Sequence, residues 1–250
     1  MIRKPFDPRA AASEAVRAAR AAVGTRLESA VLYGSAVAGT FDAADSDLNV
    51  AFVLASLEPS TLDDLRAARS AWERCRVVRP LLLTRAILAA SRDTFPLEYL
   101  LIREFHVALE GEDPFAGLAI GRSALRLQVE RTLRTQALGL AWSYLDAVET
   151  PAAARRWAAR AGTAIASSVS GLLHLVGEPI PAARPVLAAR AAARFGVSES
   201  ALRDVLVPPA QRPRLEATVL FAEAQECLQR LLDAAERLDA TPESVSTTGG

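Results

Sequence analysis

Hydrophobic and polar positions change rhythm once along this 250-residue chain. As far as about residue 120, short apolar runs alternate with short helical stretches; beyond it only helical spacing recurs. The first element predicted is a helix over 7–23, with Asp7 as N-cap, Pro8 at the first helical position and Gly24 at its end. Arg9, Arg17 and Arg20 fall on its wet side. A strand over 27–33 stops at Gly34-Ser35. A loop of small and polar residues carries Gly39, Asp42 and Asp45 to a second strand over 47–54. That strand alternates: Asp47, Asn49, Ala51 and Val53 face one way, Leu48, Val50, Phe52 and Leu54 the other. A helix comes next over 60–74, with Ser60 as N-cap and Asp63 and Asp64 in its first turn. Residues 76–84 read as a third strand, at an edge or with a bulge because of Pro80. A short helix over 85–91, an extended pair over 95–100 and 106–111, and a turn over 111–114 complete the first half.

The second half is helical throughout. Leu125, Val129, Leu133, Ala137, Leu140, Tyr144 and Val148 form one stripe, and Trp157, Ala161, Ile165, Val169, Leu172 and Val176 another. Thr150-Pro151 opens the second of these helices and Gly177 closes it. Shorter helices are predicted over 183–195, stopped by Gly196, and from Ser198 to about 206. Pro208, Pro209 and Pro213 break the chain. A last helix over 214–238 turns Leu215, Val219, Leu228, Leu231, Ala235 and Leu238 inward. Residues 241–250 read as a disordered polar tail.

Composition narrows the classes. The formal net charge is zero, so nothing in the total points to nucleic acid or an acidic membrane. Cys75 and Cys227 stand alone, without metal-ligand spacing, which argues against a disulfide framework or a zinc site. No apolar run approaches the roughly 18 residues of a membrane span, and the N-terminus lacks a signal core, so the cytoplasm is the expected compartment. The Ala- and Arg-rich usage suits a bacterial genome of high GC content. His106 and His174 are lone histidines and read as structural. Trp142 and Trp157 read as bundle core, and Arg155, Arg156 and Arg160 as a solvated face. No Walker motif, dinucleotide fingerprint or Ser-His-Asp arrangement is present.

The chemistry concentrates at 34–49. A Gly-Ser turn lets backbone N–H groups approach an anion, and the serine hydroxyl adds a donor. Acids at i and i+2 on one strand face can share a divalent cation, which in turn clamps nucleotide phosphates. Here the pair is Asp47 and Asn49: one carboxylate and one neutral amide.

Gly34-Ser35, Gly39 and Ser46-Asp47-Leu48-Asn49 resemble the motif of the DNA polymerase β-like nucleotidyltransferase superfamily, which runs Gly-Ser, a second Gly, then Ser-Asp-x-Asp on the next strand. Gly34, Ser35, Gly39, Ser46 and Asp47 match position by position. Asn49 stands where that superfamily has its second metal-binding Asp. The stretch after residue 95 is similar to the late strand and helical exit of small bacterial members, so the resemblance spans about residues 25–115. It implies an α+β protein. A small mixed β-sheet nucleotidyltransferase core with flanking helices would occupy residues 1–118, an all-α helical bundle 119–240, and the tail 241–250. It implies Asp47 as the catalytic residue, Mg²⁺ held by Asp47 and Asn49, and nucleotide phosphates held by Gly34, Ser35 and Ser46.

The reaction implied is transfer of a nucleoside monophosphate from a nucleoside triphosphate to the hydroxyl of a small-molecule or protein acceptor, seated between sheet and bundle as in antibiotic-modifying members. The superfamily draws a third carboxylate from a later strand. Residues 76–84 hold none, and Glu73 and Glu98 are the nearest substitutes. Two-metal phosphoryl transfer needs those carboxylates. Three readings therefore stand: a transferase, a nucleotide-binding module that has lost transfer, and an interaction protein that forms a homodimer through its bundle.

Overall fold

A computed structural model of the chain describes residues 6–43, 46–149, 151–206 and 217–239, with the backbone alone at 146–149, 151–160, 217 and 239. The first helix, α1 (Pro8–Val23), begins as its capping signals require: Asp7 Oδ1 accepts the N–H groups of Arg9 and Ala10 at 3.0 and 3.1 Å. Ala12, Ala15, Val16, Ala19 and Val23 are its buried stripe. Arg20 is half-buried rather than wet, because it pairs with Glu110. A single 3₁₀ turn leads into β1 (Leu27–Tyr33). The chain then forms a one-turn helix, α2 (Ser35–Ala38), before β2 (Asn49–Leu54).

The next helical stretch starts one residue early and is not continuous. Pro59 opens α3 (Pro59–Leu65), Glu58 takes the N-cap position without a side-chain bond, and Ser60 lies inside the helix. A 3₁₀ turn over Arg66–Ala68 separates it from α4 (Arg69–Arg74). The third strand is far shorter than predicted: β3 is Leu81–Leu83. Arg76 at the start of the predicted stretch has φ +64°, a left-handed conformation foreign to a strand. Pro80 falls just before β3, and β3 is an edge strand. Thr84 caps α5 (Arg85–Ser91), its hydroxyl accepting the Ile87 N–H at 3.1 Å.

Residues 95–100 are not extended. They enter α6 (Pro96–Glu104), where Pro96 takes the first position and Glu98 the first turn, both suited to a helix start. Leu97, Tyr99, Leu100 and Ile102 are buried at helical spacing, a signal that the alternation of Phe, Pro and Leu obscured. The last strand, β4 (His106–Gly111), comes directly after.

The four strands form one mixed sheet in the order β3-β2-β1-β4. β1 runs antiparallel to both β2 and β4, whereas β2 and β3 are parallel. Strand alternation divides the core as the sequence predicts. Leu48, Val50, Phe52 and Leu54 pack with α1, α3 and α4 on one face, where Phe52 stacks on Trp72 at 5.2 Å. Ala51 and Val53 pack with Val31, Leu88, Tyr99, Ile102 and Phe115 on the other. Asp47 lies just before β2, yet the alternation runs through it: Asp47 and Asn49 are exposed, Leu48 and Val50 buried.

Two compact units divide after Gly121. Among the described residues the second unit is helical: α7 (Arg122–Glu149), α8 (Pro151–Leu175), α9 (Arg184–Phe195), α10 (Glu199–Leu206) and α11 (Ala217–Asp239). Gly196 ends α9 at φ +69°, and Ser198 Oγ accepts the Ala201 N–H at the start of α10. Leu125, Val129, Leu133 and Leu140 of α7, Ala161, Ile165, Val169 and Leu172 of α8, and Leu228, Leu231 and Ala235 of α11 build the core. Two predicted core residues face outward: Val219 is exposed, Leu220 and Ala224 taking the inner positions, and Trp142 is 70% exposed. Asp45, the Thr150 cap, Leu215, the proline-rich break and the predicted tail lie outside the described residues. Among the described residues no helix is long and apolar enough to cross a membrane.

Candidate functional site

The end of β1 and the start of β2 bring Gly34 and Asn49 together. Gly34 leaves β1 at φ 78° and ψ −144°, a region open in practice only to glycine, and so turns the chain into α2. Its N–H donates to Phe105 O at 2.9 Å, tying the turn to the segment ahead of β4. Its carbonyl accepts from Val37 and Ala38. A Cβ on Gly34 would stand 2.9 Å from Asn49 Nδ2, so the Asn49 amide lies directly over the glycine. Register explains the contact, since Asn49 is the cross-strand partner of Tyr33.

Ser35 and Ala36 occupy the first turn of α2, where backbone N–H groups have no acceptor inside the helix. Among the described residues the Ser35 hydroxyl, the Asp47 carboxylate and the Asn49 amide make no hydrogen bond or ion pair. Ser35 is half-buried and the other two are exposed. The site therefore presents two backbone donors, a hydroxyl, one carboxylate and one amide.

Ser46 is placed differently. Its N–H donates to Asp42 O at 2.8 Å and its Oγ accepts the Asp42 N–H at 3.1 Å, so it clasps the loop between α2 and β2. Arg76, beyond reach of any sequence motif, braces the same loop. Its carbonyl accepts the Leu48 N–H at 2.8 Å, its guanidinium donates to Ala43 O, and it lies 5.3 Å from the Phe6 ring and 5.6 Å from the Phe41 ring. The two rings stack at 5.7 Å. Cation–π contact and two backbone bonds thus fix where Asp47 enters the strand.

A polar row continues across the sheet: Asn49 on β2, Tyr33 on β1 and His106 on β4 are successive register partners. Burial pushes the Tyr33 phenol above its ordinary value. His106 Nδ1 faces Arg103 O at 2.9 Å and Nε2 faces the Asp113 carboxylate at 2.8 Å. Both nitrogens are engaged, leaving none to act as a base. Burial pushes the Asp113 carboxyl up, but hydrogen bonds from His106 and from the Phe115 and Ala116 N–H groups outweigh it and hold the carboxyl below its ordinary value.

Mg²⁺ bound with a nucleotide makes its own demand on the donor set. A two-ion clamp needs several carboxylates within reach of one another. Glu73 sits on α4, paired with Arg69 at 3.8 Å, and α4 buries Trp72 on the sheet face opposite Ala51 and Val53. Glu98 lies in the first turn of α6. β3 carries leucines only. Among the described residues no three His, Cys, Asp or Glu side chains gather to hold a metal ion. Among the described residues the donor set at the β1–β2 end, Asp47 and Asn49, does not fit a two-metal clamp.

No family model matches the chain, and no curated protein matches it.

Proposed function

We propose that the first unit is a nucleotidyltransferase-like module that binds a nucleoside triphosphate at the β1–β2 end and has lost transfer. One observation carries this reading: Asn49 lies over the glycine turn that Ser35 follows, Asp47 stands two residues before it on the same exposed side of the strand entry, and among the described residues none of the three side chains is committed to the protein. Free donors at a Gly-Ser turn suit phosphate oxygens. Neutral Asn49 lowers the negative charge that would otherwise need metal to offset it before a polyphosphate could approach. The same substitution weakens any two-ion clamp, which separates binding from transfer. The buried free thiols of Cys75 and Cys227 fit a reducing cytoplasm.

Thermal unfolding with each of the four nucleoside triphosphates, with and without Mg²⁺, tests the proposal. Ligand at a hundredfold excess over its dissociation constant stabilises by about 2.7 kcal/mol. The expected result is a raised melting temperature without pyrophosphate release. Ser35→Ala should reduce the shift, and Asn49→Asp should make it more dependent on Mg²⁺. Release of pyrophosphate with a hydroxyl acceptor would restore the transferase reading. No shift with any nucleotide would remove nucleotide binding altogether.

A further inference from the structure

One arginine beside the start of β2 has no commitment in the fold. Arg79 is exposed and makes no hydrogen bond or ion pair among the described residues. Its neighbours in the sheet place it. Leu81 is level with Ala51 in the parallel β2–β3 ladder. Carried back unchanged, that register would set Leu48 level with Val78 and send its N–H to the carbonyl of the residue before, Val77. Instead the Leu48 N–H donates to Arg76 O at 2.8 Å. The chain beside β2 therefore holds one residue more than the ladder needs, a bulge over residues 78–80 that runs past Asn49 and Val50. Val77 shares a core with Leu48 before the bulge, and Leu82 shares it with Phe52 after, so both ends are anchored. Pro80 has no N–H to give the ladder, which suits a bulge leading into an edge strand.

The nearby arginines are engaged. Arg76 donates to Ala43 O and lies over the Phe6 and Phe41 rings, and Arg103 donates to Glu104 and to Leu118 O. Arg79 keeps its guanidinium donors free among the described residues. A guanidinium offers them as a planar fork that matches two phosphate oxygens at once. Asn49, the residue that the bulge passes, is neutral; a carboxylate there would draw the guanidinium into an ion pair and repel a phosphate. The strand order sets Arg79 on the β3 side of Asn49 and the Gly34-Ser35 turn on its β1 side.

We propose, on the nucleotide-binding reading above, that Arg79 binds the phosphate chain of the nucleotide and supplies as a fixed cation the positive charge that a metal would otherwise bring. Binding is then independent of Mg²⁺, and the phosphate chain lies across Asn49 between the glycine turn and the bulge.

Calorimetric titration of the full chain with each of the four nucleoside triphosphates in EDTA tests this. The wild type is expected to bind without metal, more weakly as salt rises. Arg79→Ala should raise the dissociation constant at least about tenfold, and Arg79→Glu further, with unchanged circular dichroism. Arg79→Lys should recover part of the loss, because it keeps the charge without the fork. Arg66→Ala, exposed on the opposite side of the sheet, should change nothing. Inorganic triphosphate should compete with the nucleotide on the wild type. Asn49→Asp should weaken metal-free binding, since the new carboxylate competes for Arg79; this arm leaves Arg79 itself intact and does not depend on its variants folding. Wild-type binding that the Arg79 variants match, or that requires Mg²⁺, overturns the role of Arg79 and leaves nucleotide binding standing. No binding of any nucleotide, with or without Mg²⁺, overturns both.

Discussion

Asp113 shows how a single side chain organises the ground beside the site. It accepts from the Phe115 and Ala116 N–H groups and from His106, and so fixes the exit of β4 and the ring that lies against Phe115. A carboxyl held below its ordinary value in the folded state contributes stability above its unfolded value, which is lost as pH falls through the folded one. The acid side is therefore where its contribution shows. Asp113→Asn should lose about 1–2 kcal/mol at neutral pH. The gap between variant and wild type should close below about pH 4. Urea unfolding at a series of pH values measures it, and a gap that stays constant far into the acid range would contradict the assignment. Asp113 was legible in the sequence as a turn acid before Pro114, because Asp habitually bonds the backbone two residues on. Its bond with His106 was not, since it joins β4 to the following loop in space. Arg76 was invisible for a different reason: a left-handed arginine has no sequence marker, and Val-Val after it reads as strand.

Among elements, α8 and α10 approach each other backbone to backbone. A Cβ at Gly162 would lie 2.5 Å from the Val205 carbonyl oxygen, well inside van der Waals contact. Two effects oppose each other in Gly162→Ala. Helix propensity favours alanine by about 1 kcal/mol. Overpacking against a rigid backbone costs ~1–3 kcal/mol, and no flexible side chain is there to yield. The clash should win, lowering stability by about 1–2 kcal/mol in denaturant titration; a stabilised variant would mean the helices separate freely. Element type was readable wherever capping residues and apolar spacing agreed, as at Asp7 and Gly196. It failed at 95–100, where Phe-Pro-Leu mimics an extended run although Pro96 is better placed to begin a helix. It failed at 76–80 because tertiary contacts, rather than local preference, set the backbone of Arg76. The stripe of α7 was read only on its inner side, and Trp142 was assigned to the core because aromatic residues usually are.

Over the whole molecule, each unit has its own buried core: the sheet unit sets α1, α3 and α4 on one face and α5 and α6 on the other, and the helical unit packs α7 to α11. A chain with separate cores can unfold in separate steps. Residues 122–250 produced alone should show helical circular dichroism and a cooperative melt; a broad, non-cooperative loss of ellipticity would mean that the second core is incomplete. The division was legible because the period of the apolar pattern changes near residue 120. The chemistry of the β1–β2 end was legible in part: spacing located the glycine turn and the lone acid, while the commitments of Ser46, His106 and Arg76 required coordinates. That bracing arginine has a practical corollary. Phe6 is one of the two rings under its guanidinium, so the start of the chain is mechanically joined to the loop that delivers Asp47. Where a purification handle is fused to the front of the chain, or how closely a protease trims it, is then no neutral choice for anyone measuring ligand affinity.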